Sequence, residues 1–234
     1  IFKKLNERFE CVQIIDYEKE FNFSAINNFA VTKSSYENLL FLNDDTEVID
    51  EQWLFELFCH LKDRGNGAVG PKLYYPNGKI QHCGVLVGYC GIAGELYKGK
   101  DATHPGQMQR ANLLQNVSAI TGACMAIRKS VFLEVGGFDE INLPIAFNDI
   151  DLCLKLLEKG YRNVFTPYSK LIHHESYSRG SDLTDNRKTA FRSECDYMKT
   201  RWIQKLRQDE AYNANLSLES NEQFELSFPP RIDL

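Results

Sequence analysis

An open α/β sheet flanked by helices is what the sequence predicts, on three observations. Strand-like and helix-like patterns alternate through the first ninety or so residues. The run Leu39–Leu40–Phe41–Leu42 is apolar at successive positions, the mark of a parallel strand covered on both faces, and it drives straight into Asn43, Asp44, Asp45 and Glu47. Two more polar clusters fall at comparable element ends: Asn148–Asp149–Ile150–Asp151 at a helix start, and His173–His174–Glu175–Ser176 after a strand. In such sheets the ligand crevice lies beyond the carboxyl ends of the strands.

Each element follows from local pattern. Residues 1–10 read as the end of an amphipathic helix and "CVQII" (11–15) as a short β-branched strand. "FNFSAINNFAVTKSS" (21–35) reads as a helix, with Ser24 its N-cap and Ala25, Ile26, Phe29 and Ala30 its apolar side. "DEQWLFELFCHLKDR" (50–64) is a helix opening on Asp50. "GAVGPKLYY" is a strand, "PNG" (76–78) a turn using a glycine at positive φ, and "KIQHCGVLVGY" the returning hairpin strand. Residues 91–116 are polar and spotted with glycine, hence a surface loop. Residues 117–140 give a strand, a short helix from Ser130 and a Gly136–Gly137 break. "NDIDLCLKLLEKGY" (148–161) is a helix opening on acids and closing on Gly160. "RNVFTPYSKLIHHES" reads as a strand, a proline turn and another strand. Residues 184–209 form a charged helix, and the tail beyond is extended and wraps the body.

Composition narrows the function. The 234 residues carry a net charge of −5 and are 43% hydrophobic and 25% charged, an ordinary globular balance. The acidic balance argues against nucleic acid as a partner and fits poorly with anionic lipid. No apolar run approaches the roughly 18 residues of a membrane span, and no signal peptide leads the chain. The seven cysteines are irregularly spaced with no Cys-x-x-Cys, which reads as reduced thiols packed as small apolar residues in a cytosolic protein, without a cysteine zinc site.

Crowded carboxylates repel unless something positive sits among them. Carboxylate and imidazole with open positions form a natural site for Mg²⁺ or Mn²⁺, and a diphosphate would complete the coordination. Each cluster also has a plainer reading. An Asp pair after a strand caps a loop; Asp at a helix start is favoured by the dipole alone, by about 0.3–1 kcal/mol; a His pair sits on a surface or in a satisfied core; Asp139 is a turn residue; Gly122, Gly136 and Gly137 merely permit tight backbone. The three clusters together are what favour a site.

In order and spacing, "NDDTEV", "TGACMAIRKSVFLEVGGFDE" and "FNDIDLCLKLLEKGYRNVFTPYSKLIHHESYSRG" resemble glycosyltransferase family 2, in particular the bacterial branch that builds O-antigen and other surface polysaccharides and is rhamnosyltransferase-like. "FNFSAINN" and "YNANLSL…PPR" are similar to that branch too. The resemblance runs from about residue 10 to the end. It implies a GT-A fold, a three-layer open mixed sheet with flanking helices, and inverting transfer of a hexosyl or deoxyhexosyl group from a nucleotide-diphosphate sugar to a glycan or lipid-linked acceptor. The family's Asp-x-Asp motif falls on Asn43–Asp44–Asp45, with Asn in place of the first acid, so the metal contact falls to Asp45 and the donor's ribose or sugar side to Asn43 or Asp44. The metal-binding His falls on His173, with His174 as the fallback, and the cofactor is Mn²⁺ or Mg²⁺. The general base falls on Asp149, preceded by Asn148 where the family has Glu. Phe23, Ser24 and Asn27 match residues near the nucleotide; Gly122, Ala123, Gly137, Phe138, Asp139 and Asn148 match the sugar and acceptor pocket.

Three further expectations come with the resemblance. Family members open with a strand, a helix and a second strand that this chain does not match, so it reads as an N-terminally truncated fragment with weakened nucleotide binding and an unpaired sheet edge that invites dimer formation or aggregation. Residues 1–180 are expected to form the catalytic domain (nucleotide-binding half 1–70, acceptor-side half 71–180), with the helix and tail of 181–234 packed on it. The expected location is the cytoplasm, at the inner face of the membrane where the acceptor is lipid-linked. The competing readings are an inactive sugar-nucleotide-binding fragment and a metal phosphoesterase, the latter short of ligands for a two-metal centre.

Overall fold

A computed structural model of the chain describes residues 9–174, 185–219 and 223–231. The first helix, α1 (Phe23–Lys33), is capped by Asn22, whose side-chain oxygen accepts from the Ala25 N–H at 2.8 Å. Ser24 is therefore not the N-cap. It sits inside the first turn, fully buried, and its hydroxyl donates to the Leu143 carbonyl at 2.5 Å. The helix expected at 1–10 lies mostly outside the described residues. "CVQII" is not a strand: no strand lies alongside it, and Ile14 and Ile15 stay exposed.

The sheet is built from β1 (Asn38–Leu42), β2 (Thr46–Val48), β3 (Asn66–Tyr74), β4 (Ile80–His82), β7 (Gln115–Val117), β8 (Cys124–Arg128) and β9 (Arg162–His173). Its order is β1-β8-β3-β9-β2, with β4 on β3 and β7 on β9; only β3 and β9 run parallel. The hairpin β5 (Val85–Val87) and β6 (Ala93–Glu95) stands apart. The returning strand after the 76–78 turn thus ends at His82, and the loop expected over 91–116 holds β6. α2 (Trp53–His60), α3 (Lys129–Glu134), α4 (Asn148–Glu158), α5 (Asp185–Arg201) and α6 (Ile203–Arg207) complete the elements.

The central strands are buried at successive positions, and alternate residues face the two layers. Leu39, Phe41, Ala68, Met125, Ile127 and Phe165 face the larger core, which α1, α3, α4, α5 and α6 cover. Leu40, Val69, Cys124, Ala126, Val164 and Leu171 face the other side, which Leu57 and Leu61 at α2 cover. Burying one such Leu or Phe contributes about 1.5–3 kcal/mol. β1 therefore reads as continuously apolar because helices lie on both faces. It is not the parallel strand that pattern suggested, since it pairs only with β8, antiparallel, at the sheet's edge.

β9 is one strand rather than two. Its register on β3 jumps from Pro71↔Thr166 to Lys72↔Lys170, so Pro167 and its neighbours bulge and Tyr168 is thrown outward. A bulge accommodates a residue with no N–H to give the ladder. Beyond it the strand recovers and ends on His173. α5, α6 and the segment after them return to the same core through Met198, Trp202, Leu206, Tyr212 and Leu218.

Candidate active site

Three chain segments converge at the ends of β1, β4 and β9. Thr46 pairs with His173 across β2 and β9, which brings the loop after β1 over the end of β9. There Asp45 Oδ1 lies 3.0 Å from His173 Nε2. The far side of the ring is held by Gln81 on β4: His173 Nδ1 and Gln81 Oε1 are 2.8 Å apart, and Gln81 Nε2 donates to the His173 carbonyl at 3.4 Å. That pairing makes Nδ1 a donor and aims Nε2 at Asp45. Asn43 Nδ2 lies 3.4 Å from the same Nε2.

Asp45 Oδ1 is a buried oxygen that accepts no hydrogen bond. A carboxylate oxygen and an imidazole nitrogen 3.0 Å apart call for a positive charge between them, a proton or a metal cation. An oxygen and an imidazole nitrogen so placed suit Mn²⁺ or Mg²⁺, and the residues present fit such an ion. His174 does not join them. Its N–H donates to the Asp45 carbonyl at 2.9 Å, but its ring turns away to Glu47, 3.1 Å distant. Asp44 is exposed. Glu175 and Ser176 lie outside the described residues.

Asp149 opens α4. Its Oδ2 accepts from the Gly122 N–H and its Oδ1 from the Ile150 N–H, both at 2.8 Å. Part of the residue reaches solvent, yet the protein packed round the carboxyl pushes its pKa above the ordinary carboxylate value. The two N–H donors and His82 oppose that rise; the charge of Glu95 adds to it. One loop links Asp149 to the Asp45–His173 corner. The Asn43 N–H donates to the Ala123 carbonyl at 2.9 Å, and Ala123 adjoins Gly122.

The remaining expected site residues divide. Phe23 lies beside Gly122 and Asp149 and meets Phe138 edge-on at 6.0 Å. Asn27 donates to the Phe23 carbonyl of its own helix at 2.8 Å, and Ser24 is committed to Leu143. Phe138 is core; Gly137, at φ +65°, takes the Lys155 Nζ on its carbonyl at 2.6 Å. Asn148 is buried and donates to the Ile145 carbonyl at 2.9 Å. Asp139 is the turn residue of its plainer reading: it accepts from the Asn142 N–H and from the Tyr197 hydroxyl at 2.7 Å.

Sequence reasoning missed Gln81, His82, Glu95 and the bracing by α5. Glu194 accepts from the Ile145 and Ala146 N–H groups, Phe191 packs on Phe147 at 5.5 Å, and Arg201 and Trp202 hold the fully buried Asp151 at 3.2 and 2.9 Å. Only Gln81 and His82 carried a signal, as polar neighbours within an apolar strand. Glu56, Cys59 and His60 also cluster, on α2, but Glu56 is already engaged by His60 at 2.9 Å and Thr166 at 2.6 Å and serves to seat α2 on β9. A cavity of about 600 Å³ lies at the opposite end of β9, beside Leu113, Asn116, Tyr161 and Arg162.

A mixed sheet between helical layers, with an acidic loop and a histidine at its strand ends, is the GT-A glycosyltransferase fold, and solved structures agree. GalNAc-T7, solved with UDP, GalNAc and Mn²⁺, superposes with a TM-score of 0.57 at 15% identity, over 87% of this chain and 48% of that one. A mannosyltransferase of Pyrobaculum calidifontis, solved with GDP-mannose and Mn²⁺, superposes with a TM-score of 0.51 at 12% identity, over 87% of this chain and 57% of that one. The chain belongs to glycosyl transferase family group 2, whose model matches residues 40–224. It is 48% identical to the uncharacterised protein y4gI of Sinorhizobium fredii over 93% of its length, and 42% identical to the O-antigen biosynthesis protein RfbC of Myxococcus xanthus over 72%. It spans only 24% and 13% of those two proteins. It is also 28% identical, over half its length and 40% of the relative's, to a Mycobacterium tuberculosis N-acetylglucosaminyl-diphospho-decaprenol L-rhamnosyltransferase. Among the described residues no helix is long and apolar enough to cross a membrane.

Proposed function

We propose that this chain is the catalytic module of an inverting, metal-dependent glycosyltransferase that moves a hexosyl or deoxyhexosyl group from a nucleotide-diphosphate sugar to a surface-polysaccharide or lipid-linked acceptor on the cytoplasmic side of a membrane. The observation that carries the reading is the 3.0 Å approach of Asp45 Oδ1 to His173 Nε2, with no hydrogen bond to that oxygen. A divalent ion there would supply Lewis-acid stabilisation of the charge growing on the leaving diphosphate. Gln81 fixes the His173 ring so that Nε2 stays aimed at Asp45, where it could bind the ion.

Inversion is a single displacement at the anomeric carbon, and it requires one group to take the acceptor hydroxyl proton. Asp149 suits that task. Its carboxyl is fixed by two backbone N–H groups, and its raised pKa brings it nearer to working pH than an ordinary aspartate. Holding donor and acceptor in line on this rigid loop supplies much of the remaining acceleration.

Calorimetric titration of UDP-, GDP- and dTDP-sugars, with and without Mn²⁺, tests the reading directly. Mn²⁺-dependent donor binding that Asp45→Asn abolishes is the expected result; no binding of any nucleotide sugar overturns it. Asn43 and Asn148, standing where the family has acids, are the observation favouring a binding-only module. That alternative predicts donor binding with no turnover in either wild type or Asp149→Asn.

A further inference from the structure

His82 and Glu95 form a pair that neither the cation corner nor the core accounts for. His82 follows Gln81 on β4 and is fully buried. Its Nδ1 contacts a Glu95 carboxylate oxygen, Oε2, and its Nε2 accepts the Gly84 N–H at 3.3 Å. With Nε2 accepting, the ring donates through Nδ1 to Glu95. The Glu95 side chain retains 24% exposure, and Oε1 has no hydrogen-bond partner among the described residues.

The backbone around Glu95 is clamped. Gln223 donates to the Glu95 carbonyl and accepts from the Tyr97 N–H, each at 2.8 Å. Val85, the cross-strand partner of Glu95, is bridged to Ala119, three residues before Gly122. That bridge ties Glu95 to the loop whose Gly122 N–H binds Asp149. A purely structural carboxylate directs both oxygens at backbone or hydroxyl donors, as Asp209 does. Glu95 instead gives one oxygen to a buried histidine and holds the other towards solvent.

We propose that Glu95, positioned by His82, forms a subsite for the acceptor sugar and receives a hydrogen bond from a hydroxyl neighbouring the one that Asp149 deprotonates. The inference rests on the glycosyltransferase reading above. Two carboxylates near one space repel the donor's phosphates and favour a neutral polyol, whose several O–H donors satisfy both without adding charge.

Saturation-transfer NMR with methyl glycosides of glucose, galactose, rhamnose and N-acetylglucosamine tests it on wild type, Glu95→Gln and Glu95→Asp, with folding followed by circular dichroism. Glu95→Gln keeps an acceptor for His82 but turns the outward group into a donor. It should weaken glycoside binding roughly tenfold or more, the cost of one charge-assisted hydrogen bond, and leave Mn²⁺-dependent nucleotide binding unchanged. Glu95→Asp, shorter by one methylene, should weaken it in the same direction. The imidazole nitrogen resonances of His82 should move on glycoside addition in wild type and stay still in Glu95→Gln. Equal glycoside affinity in wild type and Glu95→Gln overturns the subsite, as does wild type that binds none of the glycosides or loss of fold in both variants. Failure of wild type to bind any nucleotide sugar instead overturns the glycosyltransferase reading itself.

Discussion

Asp45 and Asp209 are both carboxylates beside a strand of the same core, and they are held in opposite ways. Asp209 is buried with every approach filled: Oδ2 accepts the Val87 N–H at 2.7 Å, and Oδ1 accepts the Ser118 hydroxyl at 2.5 Å and the Ala211 N–H at 2.7 Å. Asp45 Oδ1 is buried too, yet no backbone or hydroxyl donor among the described residues reaches it, and its near neighbour is the His173 ring at 3.0 Å. One carboxylate closes the fold where the segment after α6 meets β5. The other is left short of partners at a strand end. Fold stability should therefore depend on Asp209 and ligand binding on Asp45.

The largest expected effect lies at the base that the Asp45 corner serves. Asp149→Asn should lower kcat by about 10²–10⁴-fold, the usual contribution of a general base, with donor affinity retained in calorimetry. Next come the two compared residues themselves. Asp209→Ala strands two N–H groups and a hydroxyl and should cost about 2–4 kcal/mol in denaturant unfolding, at the usual 1–3 kcal/mol per orphaned group less local relaxation. Asp45→Asn should leave that unfolding curve in place, or move it slightly towards stability, while Mn²⁺ binding collapses. A large stability loss in Asp45→Asn would erase the contrast. Gln81→Ala should reduce Mn²⁺ affinity by roughly 10–100-fold, as loss of an outer partner does at other metal sites.

The smallest effect is in pH dependence. Asp149 must be ionised to act, and its pKa is raised chiefly by burial, so kcat/KM should climb through an acidic limb lying above the ordinary aspartate range. Glu95 adds to the rise, so Glu95→Gln should move that limb to lower pH. For Asp209, burial raises the folded pKa above 3.8. Between 3.8 and that raised value the folded state binds more protons than the unfolded one, so stability falls as pH increases across the window. Asp209→Asn should flatten that slope.

Much of this was legible in the chain. Short apolar runs bounded by turn residues and helix-start acids identify the strands and α4, and the positions of Asn43–Asp45, Asp149 and His173 at element ends indicate where a ligand would meet them. What was not legible has physical causes. A run apolar at every position reports helices on both faces, not the direction of the neighbouring strand, so β1 was mistaken for a parallel strand. A proline reads as a break, but β9 absorbs Pro167 in a bulge because β3 holds it on either side. Residues 11–15 have strand composition and no neighbouring strand to pair with. Ser24, Asn27, Asn148 and Asp139 look like ligand-facing polar groups in the sequence; their partners lie three or four residues away or, at Tyr197 and Leu143, 58 and 119 residues away, and only packing decides which.

The Thr121–Gly122–Ala123 loop has one more effect. It fastens Asn43 through Ala123 and Asp149 through Gly122, adjacent residues whose Cα atoms stand about 3.8 Å apart. If Asp149 takes the proton and the Asp45 corner holds the ion, as proposed, the spacing between them is governed by this loop, anchored to β8. Such a gauge cannot stretch to suit a bulkier sugar without dismantling the sheet, so changes in substrate preference in relatives of this chain should arise from side chains lining the gap, leaving its span untouched.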